Sequence, residues 1–377
     1  MVIGAGLLGS ALAYYLARQG IDTLLVERGE INREASGANA GSLHVQIMRQ
    51  PDWSAEWLAR IRPSLGLHLA AARMWRTLEQ DLGCELGVRF GGGLMVAETT
   101  DQLDRLRQKA VLERAIGLET EVLSKRELGS LCPHLSETVI GADYCPGEGY
   151  ANPLLVTPAF VRGALAAGAR LRTRSAVESI EPAGSPAGSR GYRLRTTAGT
   201  IRAGRVVDAA GAWAAPVARL LGVKLPVAGS VLQVSVTEPR SAILSQLIQH
   251  VGRRLTLKQT PHGSFVIGGG WAGGLDPPSQ RATARVDSIV GNAWVAVRTL
   301  PALQRLRLVR TWAGVGGNTP DWGPILGECP GARGFYVLFA GVGFTLGPIC
   351  ARLLAEQIAT GSTSLPLTPH GPERFAA

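Results

Sequence analysis

Three glycines, at positions 4, 6 and 9 of Gly4-Ala5-Gly6-Leu7-Leu8-Gly9, stand between a short apolar run, Met1-Val2-Ile3, and a stretch that places Leu8, Leu12 and Leu16 on one helical face. The spacing suits a dinucleotide. Gly4 permits the tight strand-to-helix turn, Gly6 lets a pyrophosphate approach the backbone, and Gly9 lets the helix pack close to the sheet. The free N–H groups of the helix start, Leu7 and Leu8 among them, and its positive dipole end would face the phosphates. Thr23-Leu24-Leu25-Val26-Glu27 reads as a buried parallel strand ending in an acid, and Glu27 can hydrogen-bond ribose hydroxyls. Strand, glycines, helix and acid in that order form a βαβ signature that serves NAD and FAD equally. Only three residues precede Gly4, which raises the expectation that the start is truncated.

A run of small residues follows, Ala35-Ser36-Gly37-Ala38-Asn39-Ala40-Gly41-Ser42-Leu43-His44-Val45-Gln46. It can lay backbone N–H groups along a second segment of a long ligand. Downstream, Val206-Val207-Asp208-Ala209-Ala210-Gly211-Ala212-Trp213 is a strand whose small-residue end lets the backbone meet a flat ligand. Gly268-Gly269-Gly270-Trp271 presents an indole that either walls a substrate cavity or packs between domains. Ala340-Gly341-Val342-Gly343-Phe344-Thr345 opens the last helix, with Thr345 as N-cap and Pro348 in the first turn. No His–Asp or Cys–His constellation offers nucleophilic chemistry, which fits a reaction whose hard step a cofactor performs.

Composition removes other classes. The 377 residues are 46% hydrophobic and 18% charged, enough for two packed domains and too apolar for a disordered chain. Five scattered cysteines and six unclustered histidines give no disulfide framework and no metal site, a pattern that fits a reducing, cytoplasmic compartment. The net charge of +10 is almost all dispersed arginine, so anionic small molecules or an acidic protein partner explain it better than nucleic acid. No apolar run reaches the roughly 18 residues of a membrane span, and the glycine spacing and Arg18 argue against a signal peptide.

These residues need elements to hold them. Trp57, Ile61, Leu65, Leu69 and Met74 suggest a helix pair over 55–80 broken at Pro63. Leu103, Leu106, Ala110 and Leu112 suggest a charged, exposed helix, and Cys145 to Tyr150 reads as loop. A helix from Asn152 to Ala167, a strand from Arg170 to Ile180 and a hairpin from Tyr192 to Val207 follow. Strands over 231–236, 254–258 and 265–270, a surface loop over 276–285, a helix over 286–300 and a strand over 335–339 complete the pattern.

With these motifs in order, and above all Ser36-Gly37-Ala38-Asn39-Ala40-Gly41-Ser42-Leu43-His44-Val45-Gln46, the chain resembles the D-amino-acid oxidase-like flavoproteins, nearest to the catalytic beta subunits of multi-subunit opine, proline and hydroxyproline dehydrogenases. The resemblance implies an α/β fold: a Rossmann-like FAD-binding domain (1–80, 146–224 and 304–377) with an interleaved antiparallel-sheet substrate domain (81–145 and 225–303). It implies non-covalent FAD held by Gly4, Gly6, Leu7, Leu8, Gly9, Glu27, Arg28, Ser36, Gly37, Asn39, Ala40, Gly41, Leu43, Val177, Ala210, Gly211, Trp213, Gly341, Gly343, Phe344 and Thr345. The last helix start would stabilise negative charge on a reduced flavin. His44, Gln46, Trp271 and Arg310 become the catalytic candidates. The implied reaction is C–N oxidation of an amino acid, imino acid or opine, with electrons passed to other subunits; the alternatives are a stand-alone oxidase using oxygen, an NAD-dependent dehydrogenase and a non-catalytic flavin subunit. Two departures stand out. Gly316 occupies the place after Trp312-Ala313-Gly314 where many relatives carry a carboxylate-gripping Arg, leaving Arg253, Arg254 and Arg310 as substitutes, and Val342 replaces a frequent His. Both point to a bulkier secondary amine.

Overall fold

A computed structural model of the chain describes residues 1–49, 54–184, 190–276 and 281–375. Val2–Ile3 (β1) lies between Leu24–Val26 (β2) and Val206–Asp208 (β12), parallel to both. This short strand is buried on both faces, as the centre of a parallel sheet requires. The six-stranded sheet continues outward from β2 to Arg170–Arg172 (β8), and from β12 to Phe335–Phe339 (β21) and the antiparallel Ile325–Glu328 (β20). One face is covered by Leu7–Arg18 (α1), Leu65–Leu82 (α4), Pro153–Ala166 (α7) and Gly343–Thr360 (α10), through a core that includes Leu12, Trp75, Phe160 and Leu353. The other face carries Ala214–Arg219 (α8) and an antiparallel sheet of Val177–Gly184 (β9), Arg190–Thr196 (β10) and Gly199–Ala203 (β11).

A second, eight-stranded sheet runs in the order Leu308–Asn318 (β19), Ala228–Pro239 (β13), Ser264–Gly268 (β16), Thr256–Gln259 (β15), Leu247–His250 (β14), Gly93–Ala97 (β4), Gly141–Cys145 (β6) and Glu121–Ser124 (β5). It is antiparallel except where β14 meets β4. Alternation along β4 sends Leu94 and Val96 to a core shared with Val286–Thr299 (α9) and Lys125–Leu131 (α6), and Met95 and Ala97 to the face covered by Thr100–Ala115 (α5). Ser42–Leu43 (β3) pairs with Gly149–Tyr150 (β7), which ties the small-residue run to the end of the 93–145 segment. Ala35–Ala38 (α2), Ala55–Ile61 (α3) and the pair Gly274–Leu275 (β17) and Ala282–Thr283 (β18) complete the named elements. No helix among the described residues is long and apolar enough to cross a membrane.

Several expectations need correction. Arg170 to Ile180 is two strands in different sheets, because the chain turns at Arg174, whose φ of +50° ends the alternation. Cys145 to Tyr150 is the end of β6 and the strand β7, with Glu148 fully buried between them. The face of α5 expected to be exposed buries Lys109 and Glu113 beside Leu106 and Ala110. β19, expected with segment 304–377, joins the eight-stranded sheet because it pairs along its length with β13. Of the expected 276–285 loop, residues 277–280 lie outside the described residues, and Ala282–Thr283 pairs as β18.

The glycine turn closes tightly. Gly4 has φ +103° and a Cβ there would stand 2.6 Å from the Ala209 carbonyl oxygen; a Cβ on Gly9 would stand 2.0 Å from the Gly4 carbonyl oxygen. The Gly9→Ala substitution is therefore expected to cost about 2–3 kcal/mol of stability, read as a lower urea midpoint of the cofactor-free protein.

Candidate functional site

The first part of the site is the start of α1. Gly6 occupies its N-cap without a side-chain cap, and Ser36 Oγ accepts the Leu7 N–H at 2.8 Å. The N–H groups of Leu8 and Gly9 belong to the first turn, which has no intrahelical acceptor for them. Glu27 stands at the end of β2 facing this turn; Oε2 accepts the Ala5 N–H and Oε1 the Gly29 N–H, each at 2.9 Å. Arg28 lies 3.7 Å over the Trp213 ring and 3.1 Å from Glu34, so two expected contacts from separate segments meet. Val177 begins β9 two residues after Ser175, whose N–H donates to the Glu27 carbonyl at 2.8 Å. Ala210 donates its N–H to Asp208 Oδ1 at 3.0 Å, and Gly211 opens a short 3-10 turn ending at Trp213. Gly37 lies within α2. The Asn39 side chain shapes its own loop, donating to the Ser36 carbonyl and accepting from Gly41 N–H, both at 2.7 Å.

The second part is the start of α10. Val342, not Thr345, is its N-cap, and no side chain caps it. The Thr345 hydroxyl is engaged elsewhere, accepting the His44 N–H at 2.9 Å, while Pro348 lies inside the helix. Trp75 Nε1 donates to the Thr345 carbonyl at 2.9 Å, and its ring stands 5.4 Å from Phe344. Leu8 of α1 reaches α10: a Cβ on Gly343 would lie 3.3 Å from its Cδ1. Gly341 adjoins Asn318 and Trp322. The two helix starts thus converge, and the small-residue run lies between them, with Leu43 fully buried.

His44 sits in this convergence. His68 Nδ1–H donates to the His44 carbonyl at 3.0 Å, but His44 Nδ1 is buried and has no partner. Burial, with help from Lys258, lowers the His44 pKa to about 3, so the ring is neutral. Lys258, on β15, is itself buried; its Nζ donates to the Ala40 carbonyl and lies 5.1 Å over the Tyr150 ring. Burial lowers its pKa to about 7.

Sequence reasoning missed a buried charge network one step behind this loop. Lys109 Nζ donates to Gln46 Oε1, Glu113 Oε2 and Asp143 Oδ2 at 2.7, 2.9 and 2.6 Å. Glu148 Oε1 accepts the N–H groups of Val45 and Gln46 at 2.8 and 3.1 Å, and Oε2 accepts Gln46 Nε2 at 2.7 Å. Both ends of the Gln46 amide are therefore engaged, and its fully buried side chain holds the loop instead of facing a substrate. Burial pushes the Glu148 carboxyl up to about 7 against these donors. For Lys109, burial opposes the charge, but Glu113 and Asp143 outweigh it and keep the ammonium above its ordinary range. The available signal was the i, i+4 spacing of Lys109 and Glu113 on the same face as Leu106 and Ala110.

The remaining candidates separate. Trp271 packs its ring edge on Gly291 of α9 and donates Nε1–H to the Arg254 carbonyl at 2.9 Å. Arg310 is exposed near the outer end of the edge strand β19, and Arg253 is paired with Glu98 at 2.9 Å, so neither is placed with His44. Arg49, five residues beyond His44, was not among the sequence candidates; burial and then the Arg254 guanidinium hold its pKa below the ordinary range. Space beside Gly316 is open, the nearest atom to a Cβ there being the Ser230 carbonyl oxygen at 3.9 Å.

A helix start beside a glycine turn, with the Leu8 and Gly9 N–H groups free of intrahelical acceptors, a second helix start converging on it and an unpartnered buried imidazole nitrogen fit a dinucleotide ending in a polar ring system, as FAD does. No cluster of metal-ligating side chains occurs among the described residues. The pattern of the FAD dependent oxidoreductase family matches residues 1–357. One of the subunits of the opine oxidase of Rhizobium meliloti is 28% identical over 393 residues, spanning 100% of this chain and 97% of the relative. Glycine oxidase of Geobacillus kaustophilus is 28% identical over 384 residues, spanning 98% and 94%. The crystal structure of glycine oxidase from Geobacillus kaustophilus superposes with a TM-score of 0.85 at 25% identity, over 98% of this chain and 96% of that one.

A neutral His44 makes a simple expectation. Its lowered folded-state pKa means that its stability contribution is present above about pH 6.5, the ordinary histidine value, and is lost as acid approaches its folded value. Histidine 15N NMR should show this ring neutral from about pH 5 to about pH 8; an imidazolium signal in the middle of that window would contradict the geometry.

Proposed function

The chain belongs to the FAD dependent oxidoreductase family, and from that membership we propose that it oxidises the C–N bond of an amino acid, imino acid or opine. FAD supplies the two-electron acceptor when bound. The substrate gives up a hydride from the α-carbon and a proton from nitrogen, and the resulting imine takes up water to release a carbonyl compound and an amine. The segments 1–80, 146–224 and 304–377 form the cofactor domain in this reading, and 81–145 and 225–303 the substrate domain, with β19 contributed across the boundary.

The chain's own residues have separate tasks. Glu27 and the first turn of α1 would take the ribose and pyrophosphate, and Ala210, Gly211 and Val177 would hold the adenosine side. Gly343, Phe344 and Thr345 would aim the first turn of α10 at the ring system, which would be held without a covalent bond. His44 offers its unpartnered Nδ1. The observation that carries this reading is the buried, unpartnered His44 Nδ1 between the two converging helix starts; the substrate carboxylate would be gripped by Arg49, which feels the nearby Arg254 guanidinium, together with Arg254. Trp271 sits against the Arg254 backbone and bounds the same region.

The open space at Gly316 and the two arginines favour a secondary amine carrying more than one carboxylate, the chemistry of an opine. The relative from Rhizobium meliloti is one part of a multi-subunit opine oxidase, which supports electron transfer to further subunits, with glycine oxidase supporting the oxygen-using alternative.

Anaerobic addition of an opine to the yellow protein is expected to bleach it, whereas glycine should not. Arg49→Met should raise KM by about tenfold or more, the loss of one charge-assisted contact, with kcat altered less. An unchanged KM would remove Arg49 from the grip. Hydrogen peroxide formed by the isolated chain at the rate of amine consumption would instead establish the oxidase.

A further inference from the structure

Of the 39 basic residues only four are lysines, at 109, 125, 224 and 258. Lys125 and Lys224 are exposed. The other two are buried, and both reach one segment, Ala40–Ile47, from the layer of the eight-stranded sheet.

This segment has β3–β7 pairing only at Ser42–Leu43, so its remaining backbone groups need other partners. At one end, Lys258 on β15 donates to the Ala40 carbonyl and lies 3.5 Å from Ser42 Oγ. At the other, the N–H groups of Val45 and Gln46 go to Glu148 and that of Ile47 goes to Glu113 at 2.5 Å. Lys109 joins Glu113 and Asp143 and fixes the Gln46 amide so that its NH2 faces Glu148. All three Lys109 donors are thus used, on the 40–47 segment, on α5 and on β6. A tetrahedral ammonium can do this; a planar guanidinium fork, larger and with five donors, cannot fill the same space. His44 lies between the two anchored ends, with its N–H on Thr345.

We propose that Lys109 and Lys258 are positioning residues that fix the two ends of Ala40–Ile47 and so set where His44 stands in the cofactor site. The proposal rests on reading that site as the flavin site. Neither lysine needs to touch the substrate or the flavin; each acts through the segment.

The test uses the FAD-loaded protein. Lys258→Met and Lys258→Arg should both weaken FAD binding by about tenfold, the effect of losing a charged hydrogen bond, and shift the visible absorption of the bound flavin. Lys109→Met alone strands two buried carboxylates and is expected to fold poorly, so the paired variant Lys109→Met with Asp143→Asn carries that arm. It should unfold within a few degrees of the parent, at roughly the scatter of ordinary substitutions, yet show the same spectral shift. Wild-type affinity and spectrum in Lys258→Met, or in the folded paired variant, would overturn the proposal, as would full rescue by Lys258→Arg. FAD affinity and flavin absorption are read without an amine, so failure here is distinct from finding that no amine bleaches the flavin.

Discussion

Backbone N–H groups bind phosphate and ring oxygens only where the chain itself leaves them without acceptors, and this molecule does so at two helix starts placed side by side. Neither Gly6 nor Val342 caps its helix with a side chain. Their nearness depends on small residues: a Cβ on Gly347 would stand 3.0 Å from Leu8 Cδ1. The packed faces behind them supply the stability that two helix starts without their own side-chain caps forgo. Leu12, Leu353 and Leu354 are fully buried there, each contributing about 1.5–3 kcal/mol relative to exposure. Function and fold thus meet at a local weakness that the core offsets.

The segment from Glu27 to Ile47 has to leave that sheet, pass the convergence and enter the other layer. A loop with so little pairing of its own would leave buried N–H groups unsatisfied, so carboxylates brought by α5 and the β6–β7 connection accept them. Burying Glu113, Asp143 and Glu148 beside one ammonium is costly unless every lone pair and donor is used. Each of their carboxylate oxygens has at least one donor: Glu113 receives Ile47 N–H and Lys109, Asp143 receives Thr120 and Lys109, and Glu148 receives two backbone N–H groups, Gln46 Nε2 at 2.7 Å and Gln249 Nε2 at 3.1 Å. Such a network has one good geometry, which suits a loop that must present His44 in one place.

What could be read from the sequence was whatever local rules decide. The glycine turn, its acid and the Asn152–Pro153 helix start are set by neighbours within a few residues; Asn152 Oδ1 does accept the Leu154 N–H at 3.0 Å. What could not be read was decided at long range. Thr345 has the right chemistry for an N-cap, yet its hydroxyl meets an N–H from 301 residues earlier. Lys109 and Glu113 look like an ordinary surface pair; only the arrival of Asp143 and Gln46 from other segments makes them a buried one. Alternation along Arg170–Ile180 is the same on both sides of Arg174, so periodicity alone cannot show that the chain changes sheets there.

The departure at Gly316 has a steric side and an electrostatic one. An arginine projecting from β19 would occupy the space that now lies open beside Ser230, and its cation would stand on the strand that packs Trp312 onto the Ala38 carbonyl at 2.8 Å. In the proposed reading the positive charge comes instead from Arg49, two residues beyond the anchored segment, and Arg254, two residues before β15. In that reading a branched secondary amine would use the space beside Gly316 while a carboxylate meets the guanidiniums. In the proposed reading, selectivity for the larger substrate would follow from where charge and volume lie, with the cofactor-binding frame left as it is.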